Sequence, residues 1–534
     1  MSQSLRLRAA WPEILEASWH DALGAALLAY LRPLRWFRGK SRPVRSARIL
    51  EVVPLWSNGD PVAAFVMLEI AYETGAPEAY ALPLAQRPDG SGAAGADIIA
   101  WLEGPGPERR TALIDGLVGG APTALVQLVL DGATWSGERG HLIGTLSSSS
   151  DGEALRQAGS ARASVSAAEQ TNTTVKLGDR ALLKIYRQVI AGPNPELEMG
   201  RFLSNHPRQP PVPRVLGSII HRDDVGVERS VAIFHALIPN DGDAWSLAKR
   251  ELGAYFDGVG SSPPTDGAPT TGRFRELAGT LGRRTAELHL ALAEVAATDA
   301  AFTPEPLTAA DRAAATRGVE LALEKTLTAL EARQRELPAR LRAFALRLLD
   351  PTSPERGTLA ALLERVRETP IAAMKTRIHG DLHLGQVLVC RDDSMVVDFM
   401  IVDFEGEPSR PLAERRAKSS PVRDVVGMLR SFSYAPGAVL RERGGRRSDV
   451  ERLTRWADLW NGEIAAAFQR AYLASSQGAP FIPDDPAHLK LLLELHTLER
   501  VVYEIGYELD NRPDWTEIPL RGLESLLSEQ AGSP

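Results

Sequence analysis

Apolar and polar positions change period along this chain. From Trp11 to Leu31, "WPEILEASWHDALGAALLAYL" spaces its apolar residues as a helix does, whereas "SARILEVVPLW" and "PVAAFVMLEIAYE" read as strands. Between them "RWFRGKSR" predicts a packed corner around Trp36 and Phe37 with solvated cations at its rim. The stretches "QRPDGSGAAGAD" (Gln86–Asp97) and "SSSSDGEALRQAGS" (Ser147–Ser160) carry turn and linker residues. Beyond them "TVKLG" and "ALLKIYR" form strands joined by a tight turn at Gly178 and Asp179. "NPELEMGRFLSN" then starts a helix with Asn194 as N-cap and Pro195 at its first position. "SVAIFHALIP" (Ser230–Pro239) adds a strand, and from about Trp245 helical patterns dominate up to "HLKLLLELHTLERVVYEIGYELDN". A loop-like insert, "GVGSSPPTDGAPTTG" (Gly258–Gly272), interrupts that part.

The expected class is α+β with four parts. These are an N-terminal α/β cap (1–90), an intermediate subdomain with linkers (91–155), a strand-rich lobe (156–240) and a helical lobe (241–534). A chain of 534 residues exceeds one ordinary core, so several packed units are required. Net charge −7 argues against a broad nucleic-acid surface. The longest apolar runs are too short to cross a bilayer. No secretory pattern is evident at the N-terminus, and the lone Cys390 fits a reducing compartment, so a cytoplasmic location is expected.

The chemistry concentrates in "IHGDLHLGQVLVCRDDSMVVDFMIVDFEGE", Ile378 to Glu407. Asp381 is followed five positions later by Gln386, and Asp403 precedes Phe404 22 residues on. Phosphoryl transfer uses such a set: an acid that takes the acceptor's proton, and an amide and a second acid as oxygen ligands for Mg²⁺. Asp381 is thus the candidate base, with Gln386 and Asp403 the metal ligands. His379 and His383 stand at zinc-ligand spacing, but Gly380 and the strand that follows argue against a helix there. His379 is expected to be structural, and His383 to brace the loop or touch substrate.

Lys184, inside "ALLKIYR", is the candidate clamp on the nucleotide phosphates, with Glu198 as its preferred partner and Glu196 the runner-up. There is no G-x-G-x-x-G loop. "EQTNTT" (Glu169–Thr174) takes its place, with Thr171, Thr173 and Thr174 as candidate phosphate contacts.

The blocks "EQTNTTVKLGDRALLKIYR", "GPNPELEMGRFL", "RIHGDLHLGQVLV", "IVDFEGEPSRPLAERRAKSSPVRDVVGMLRSFSYA" and "YELDNRPDWTEIPLRGL" together resemble the bacterial maltokinases, relatives of the aminoglycoside phosphotransferases with a bilobal protein-kinase-like fold. The resemblance runs from about residue 165 to 525, and "RWFRGKSR" resembles the family's N-terminal cap. It implies ATP and Mg²⁺ as cosubstrate and cofactor, maltose as acceptor, and maltose 1-phosphate as a product feeding α-glucan synthesis linked to trehalose. It also implies association with enzymes of that metabolism. A monomer or homodimer is expected. The family's sugar subsite maps to "LERVVYEIGYE", where Arg500, Tyr503, Glu504 and Tyr507 share one helix face; a core role for the two tyrosines is the competing reading. The family often carries Lys where this chain has Arg500. The basic run Arg410, Arg415, Arg416, Lys418 and Arg423 is expected to be a solvated face, with bracing of the catalytic loop as the alternative. Two further readings remain: a kinase for another sugar such as glucosamine, and a non-catalytic kinase-like binding module.

Overall fold

The computed structural model describes residues 5–9, 11–57, 59–88, 98–103, 110–160, 162–166, 171–259, 271–294, 299–392, 395–444 and 447–531. Most of the Gln86–Asp97 stretch, Glu169 and Gln170, and most of the 258–272 insert lie outside them. The chain divides into two compact units, Met1–Asn205 with Pro213–Ile238, and His206–Val212 with Pro239–Pro534.

The first unit holds two sheets. In the first, strands Leu5–Leu7, Ile98–Glu103, Arg110–Asp115, Glu78–Pro88, Asp60–Tyr72 and Val44–Ser57 lie side by side in that order, antiparallel apart from the first pair. Side chains alternate across a strand. Along Asp60–Tyr72, Ala64, Val66, Leu68 and Ile70 therefore pack toward the helix His20–Leu31, while Phe65 and Met67 pack toward the helix Ala121–Leu130. Both faces are covered, which explains the nearly unbroken apolar run of this strand. Phe37 is buried against Tyr80 with ring centroids 5.4 Å apart, and Trp36 is half-buried, as the packed-corner reading expects.

The second sheet runs Thr134–Ser136, Gly140–Leu146, Val215–Asp223, Glu228–Ala236, Ala181–Ile185, Thr173–Leu177 and Ala163–Val165, all antiparallel. Gly178 has φ +57° in the turn between the two strands around Lys184. The helical start expected at Trp11 comes later: two single 3-10 turns precede the α-helix at His20. Ser149–Gly159, part of an expected linker, is also a helix, its buried Leu155 and Ala158 joining the core between the sheets.

Arg187 fastens the two sheets together. Its guanidinium bonds Asp115 Oδ2 at 2.5 Å and Thr173 Oγ1 at 2.7 Å, and lies 4.8 Å from the Trp36 ring centroid. Its backbone N–H donates to Asn172 Oδ1, and its carbonyl accepts from Ala81 N at 2.8 Å. The next residues, Gln188 and Val189, pair with Tyr80 and Ala79 of the first sheet. Asp115 and Arg187 are both buried, so removing one strands the other's charge.

The second unit is mainly helical. Helices Ala244–Gly258, Arg273–Ala293, Ala309–Arg333, Pro354–Glu368, Val422–Arg443, Arg447–Ser475, Pro486–Asn511 and Glu517–Ala531 enclose apolar cores, one built on Leu491, Leu495, Leu498, Val502 and Ile505. A hairpin, Val387–Asp392 with Met395–Ile401, follows the loop that carries Asp381. Pro486–Asn511 begins where Asp485 accepts the Ala487 N–H at 2.8 Å, with proline in the first helical position.

Arg187→Ala is expected to destabilise the first unit by about 3–5 kcal/mol. Denaturant unfolding followed by a probe in that unit checks this; an unchanged midpoint would refute the junction.

Candidate active site

In the first unit Lys184 lies on the strand Ala181–Ile185, paired in register with Thr174 on one side and Ile233 on the other. Its Nζ is 2.8 Å from Glu196 Oε2, and both side chains are largely buried. The glutamate that pairs with Lys184 is therefore Glu196 and not the preferred Glu198. The cause is helix phase: Asn194 Oδ1 caps the Glu196 N–H at 2.8 Å and fixes Glu196 one position past Pro195. Residues two apart on a helix point about 200° from each other. Tyr186 donates to the same Glu196 oxygen at 3.1 Å, and His235 Nε2 lies 3.6 Å from the other. Burial pushes the Glu196 carboxyl up, but Lys184 and His235 outweigh it and hold the group below its ordinary value. The result is a lysine fixed in place by a charged partner. The Thr173 hydroxyl accepts a bond from Arg187, and Thr171 is exposed.

In the second unit the loop carrying Asp381 is held by a residue the sequence reading did not single out. Asp424, in the first turn of Val422–Arg443, accepts the N–H of His379 at 2.7 Å and that of Gly380 at 2.9 Å. His289 Nε2 lies 3.2 Å from the same carboxylate, and His289 Nδ1 bonds the Tyr472 hydroxyl at 2.9 Å. Asp424 is 2% exposed. Burial alone would raise its pKa, but these partners lower it. Gly380 has φ +80°, a conformation that favours glycine. Gly427, one turn beyond Asp424, lets the helix approach the loop, since a Cβ there would fall 2.5 Å from Leu382 O.

Neither histidine of the loop sits on a helix. His379 is buried; its Nε2 bonds the Val402 carbonyl at 2.9 Å and its Nδ1 accepts the Asp381 N–H at 3.3 Å. His383 Nδ1 accepts the Gly385 N–H at 3.0 Å, which gives the bracing half of its expected role. Burial pushes the His383 pKa down, favouring the neutral ring that accepts.

Gln386 and Asp403 come together. Gln386 Nε2 donates to Asp403 Oδ2 at 3.0 Å, and Gln386 O accepts the Val402 N–H at 2.9 Å. Asp403 has φ +67°, a backbone state that costs a non-glycine residue energy and concentrates at functional sites. An amide carbonyl oxygen and a carboxylate, both partly exposed, are the hard donors a Mg²⁺ ion takes.

Arg500 reaches the same loop from the helix Pro486–Asn511, its Nη1 3.6 Å from Asp381 Oδ1 and its Nε 3.5 Å from Glu504 Oε1. Burial works against the Arg500 charge, but Asp381, Glu504 and Glu407 outweigh it and raise its pKa. Glu504 is buried and also takes two bonds from Arg430, at 3.0 and 2.8 Å, so its link to Asp381 runs through Arg500. Tyr503 and Tyr507 are 36% and 45% exposed and stack on each other with centroids 6.2 Å apart, so they are not core residues. Burial, and then Glu407 beside it, push the Tyr503 pKa up to about 12.

The basic run is not a solvated face. Arg410 bonds Glu407 at 2.8 Å and Glu499 at 3.0 Å, Arg423 bonds Glu499 at 3.0 Å, and Lys418 bonds Glu305 at 2.5 Å. Arg415 donates to the Glu405 carbonyl at 3.2 Å. Asp381, Glu407, Arg410, Arg423, Glu499 and Arg500 line one small cavity.

Residues 163–460 match the phosphotransferase enzyme family (APH), and residues 30–119 match the maltokinase N-terminal cap domain. The chain belongs to the phosphotransferase enzyme family. Among curated proteins it is similar to glucosamine kinase of Streptacidiphilus jiangxiensis, 27% identical over 80% of this chain and 93% of that one. It is also similar to glucosamine kinase of Mycolicibacterium smegmatis (strain ATCC 700084 / mc(2)155), 28% identical over 68% of this chain and 78% of that one. A solved glucosamine kinase in complex with glucosamine, ADP and inorganic phosphate superposes with TM-score 0.62 at 19% identity, covering 98% of this chain and 100% of that one. The fold is kinase-like, with an N-terminal cap domain. Among the described residues no helix is long and apolar enough to cross a membrane.

Two outcomes test the geometry. Asp424→Asn is expected to lower kcat about 10²-fold, with a smaller change in KM, because the loop is displaced from its productive position; steady-state kinetics decide. Glu499 is held below its ordinary value of 4.5: burial raises it, but Arg423, His496 and Arg410 prevail. A folded pKa below the unfolded one contributes stability above about pH 4.5, and this is lost as pH falls through the lowered folded value. The thermal midpoint of wild type is therefore expected to fall more steeply below pH 4.5 than that of Glu499→Gln.

Proposed function

We propose that this phosphotransferase moves the γ-phosphoryl group of ATP to a neutral sugar, maltose, giving maltose 1-phosphate. The observation that carries the neutral acceptor is the charge state around Asp381. A guanidinium lies 3.6 Å from the candidate base, and Glu407, Glu499 and Glu504 in its surroundings are each matched with an arginine. An ammonium group entering there meets a fixed cation and no unmatched glutamate among these three. Hydroxyl groups meet no such penalty. The exposed faces of Tyr503 and Tyr507 offer a surface on which a pyranose ring stacks. The match of residues 30–119 to the maltokinase cap supports the same acceptor.

In this reading Asp381 takes the proton of the attacking hydroxyl, and Arg500 orients its carboxylate. Lys184, pinned by Glu196, supplies charge to the nucleotide phosphates. Gln386 and Asp403 would hold Mg²⁺, which neutralises charge on the transferred group. The product would enter α-glucan synthesis linked to trehalose, in the cytoplasm, with association to enzymes of that metabolism.

A second reading, glucosamine as acceptor, is favoured by the names of the curated relatives, which cover 80% and 68% of this chain. An acceptor panel with coupled ADP detection separates the two. Turnover with maltose and little with glucosamine is expected; the reverse sinks the maltose proposal. Asp381→Asn is expected to lower turnover about 10²–10⁴-fold, and an unchanged rate would return the chain to a binding role.

A further inference from the structure

The helices Val422–Arg443, Arg447–Ser475, Pro486–Asn511 and Glu517–Ala531 leave between them a groove of about 730 Å³. That is well inside the range of small-molecule sites, roughly 300–1,000 Å³. No residue assigned above to phosphoryl transfer lines it. It is nevertheless adjacent to that site, because Arg430 lines the groove while its guanidinium holds Glu504, which in turn meets Arg500 beside Asp381.

The lining selects a ligand class through its charges. Arg430 is paired with Glu504 at 2.8 Å, Arg441 with Asp514 at 3.3 Å, Lys490 with Glu494 at 3.7 Å and Arg521 with Glu517. Each cation has a carboxylate beside it, so a phosphate or carboxylate ligand gains little net attraction there. Besides the carboxylates of Asp458 and Glu529, what remains are amides and hydroxyls, among them Asn461, Gln469, Thr454 and Thr497, set among apolar contacts from Leu493 and Ile518. Such walls suit a molecule with apolar faces and a rim of hydroxyl groups. Asp458 also lines the groove, and burial raises its carboxyl pKa against the pull of Arg521.

We propose that this groove is a second binding site, for a neutral oligosaccharide, separate from the acceptor site at Asp381. The site does not depend on which sugar is phosphorylated.

Isothermal titration of the full chain with maltotetraose tests it, in wild type and in Tyr503→Ala, which strips the acceptor face. A binding event that survives Tyr503→Ala is expected. It should weaken about tenfold or more in Ser525→Trp, where an exposed groove position is filled, and in Asn461→Leu. Turnover of the acceptor in the absence of maltotetraose should be unchanged in both groove variants. The proposal is overturned if Tyr503→Ala abolishes all maltotetraose binding, or if neither groove variant alters it. It is equally overturned if inorganic phosphate, and not the oligosaccharide, is the probe whose binding those variants change.

Discussion

The carboxylate of Asp424 fixes the segment on which the remaining chemistry depends. Taking an ion out of water costs several kcal/mol unless hydrogen bonds and charge compensate it. Here the compensation comes from the loop itself, through the N–H groups of His379 and Gly380, and from His289 behind it. The loop cannot drift without leaving a buried anion short of partners. Asp381 follows directly in sequence, and its own N–H is spent on His379 Nδ1, so its backbone inherits that rigidity. Close contact between Gly427 and Leu382 O tightens the same joint sterically.

The first unit uses the same device twice. Glu196 is buried, yet stays charged because Lys184, Tyr186 and His235 converge on it. Arg187 is buried, and its donors are met by Asp115, Thr173 and the Ala81 carbonyl. A buried charge with partners drawn from distant segments acts as a registration point, since only one arrangement satisfies it. Lys184 and Arg187 are three residues apart, so the segment bearing the phosphate-clamp candidate is fixed at both ends.

Much of this was legible in sequence because it is local. Asp381, Gln386 and Asp403 fall within a single loop and hairpin, and Gln386 does meet Asp403. Strands such as Asp60–Tyr72 and Ala181–Ile185 announce themselves by apolar runs. What sequence could not rank was decided by phase or distance. Choosing Glu196 over Glu198 required knowing where Asn194 starts the helix. Asp424 lies more than forty residues from the loop it holds, though an acid in the first turn of a helix inside the motif-like "SSPVRDVVGML" was a usable signal. Arg410 and Arg423 looked solvated because Glu499, which pairs them, comes from another helix. The helix Ser149–Gly159 was hidden by a serine run whose last members occupy its N-cap position and first turn.

The matched charges around Asp381 carry a consequence for how the cavity responds to its surroundings. Dissolved ions shield exposed charges over roughly 8–10 Å at ordinary ionic strength, but act weakly on pairs that are already in contact and partly buried. With Glu407, Glu499 and Glu504 each held by arginine, little long-range field is left there for salt to damp. Entry of an uncharged molecule into this cavity is insulated from the ionic composition of its medium.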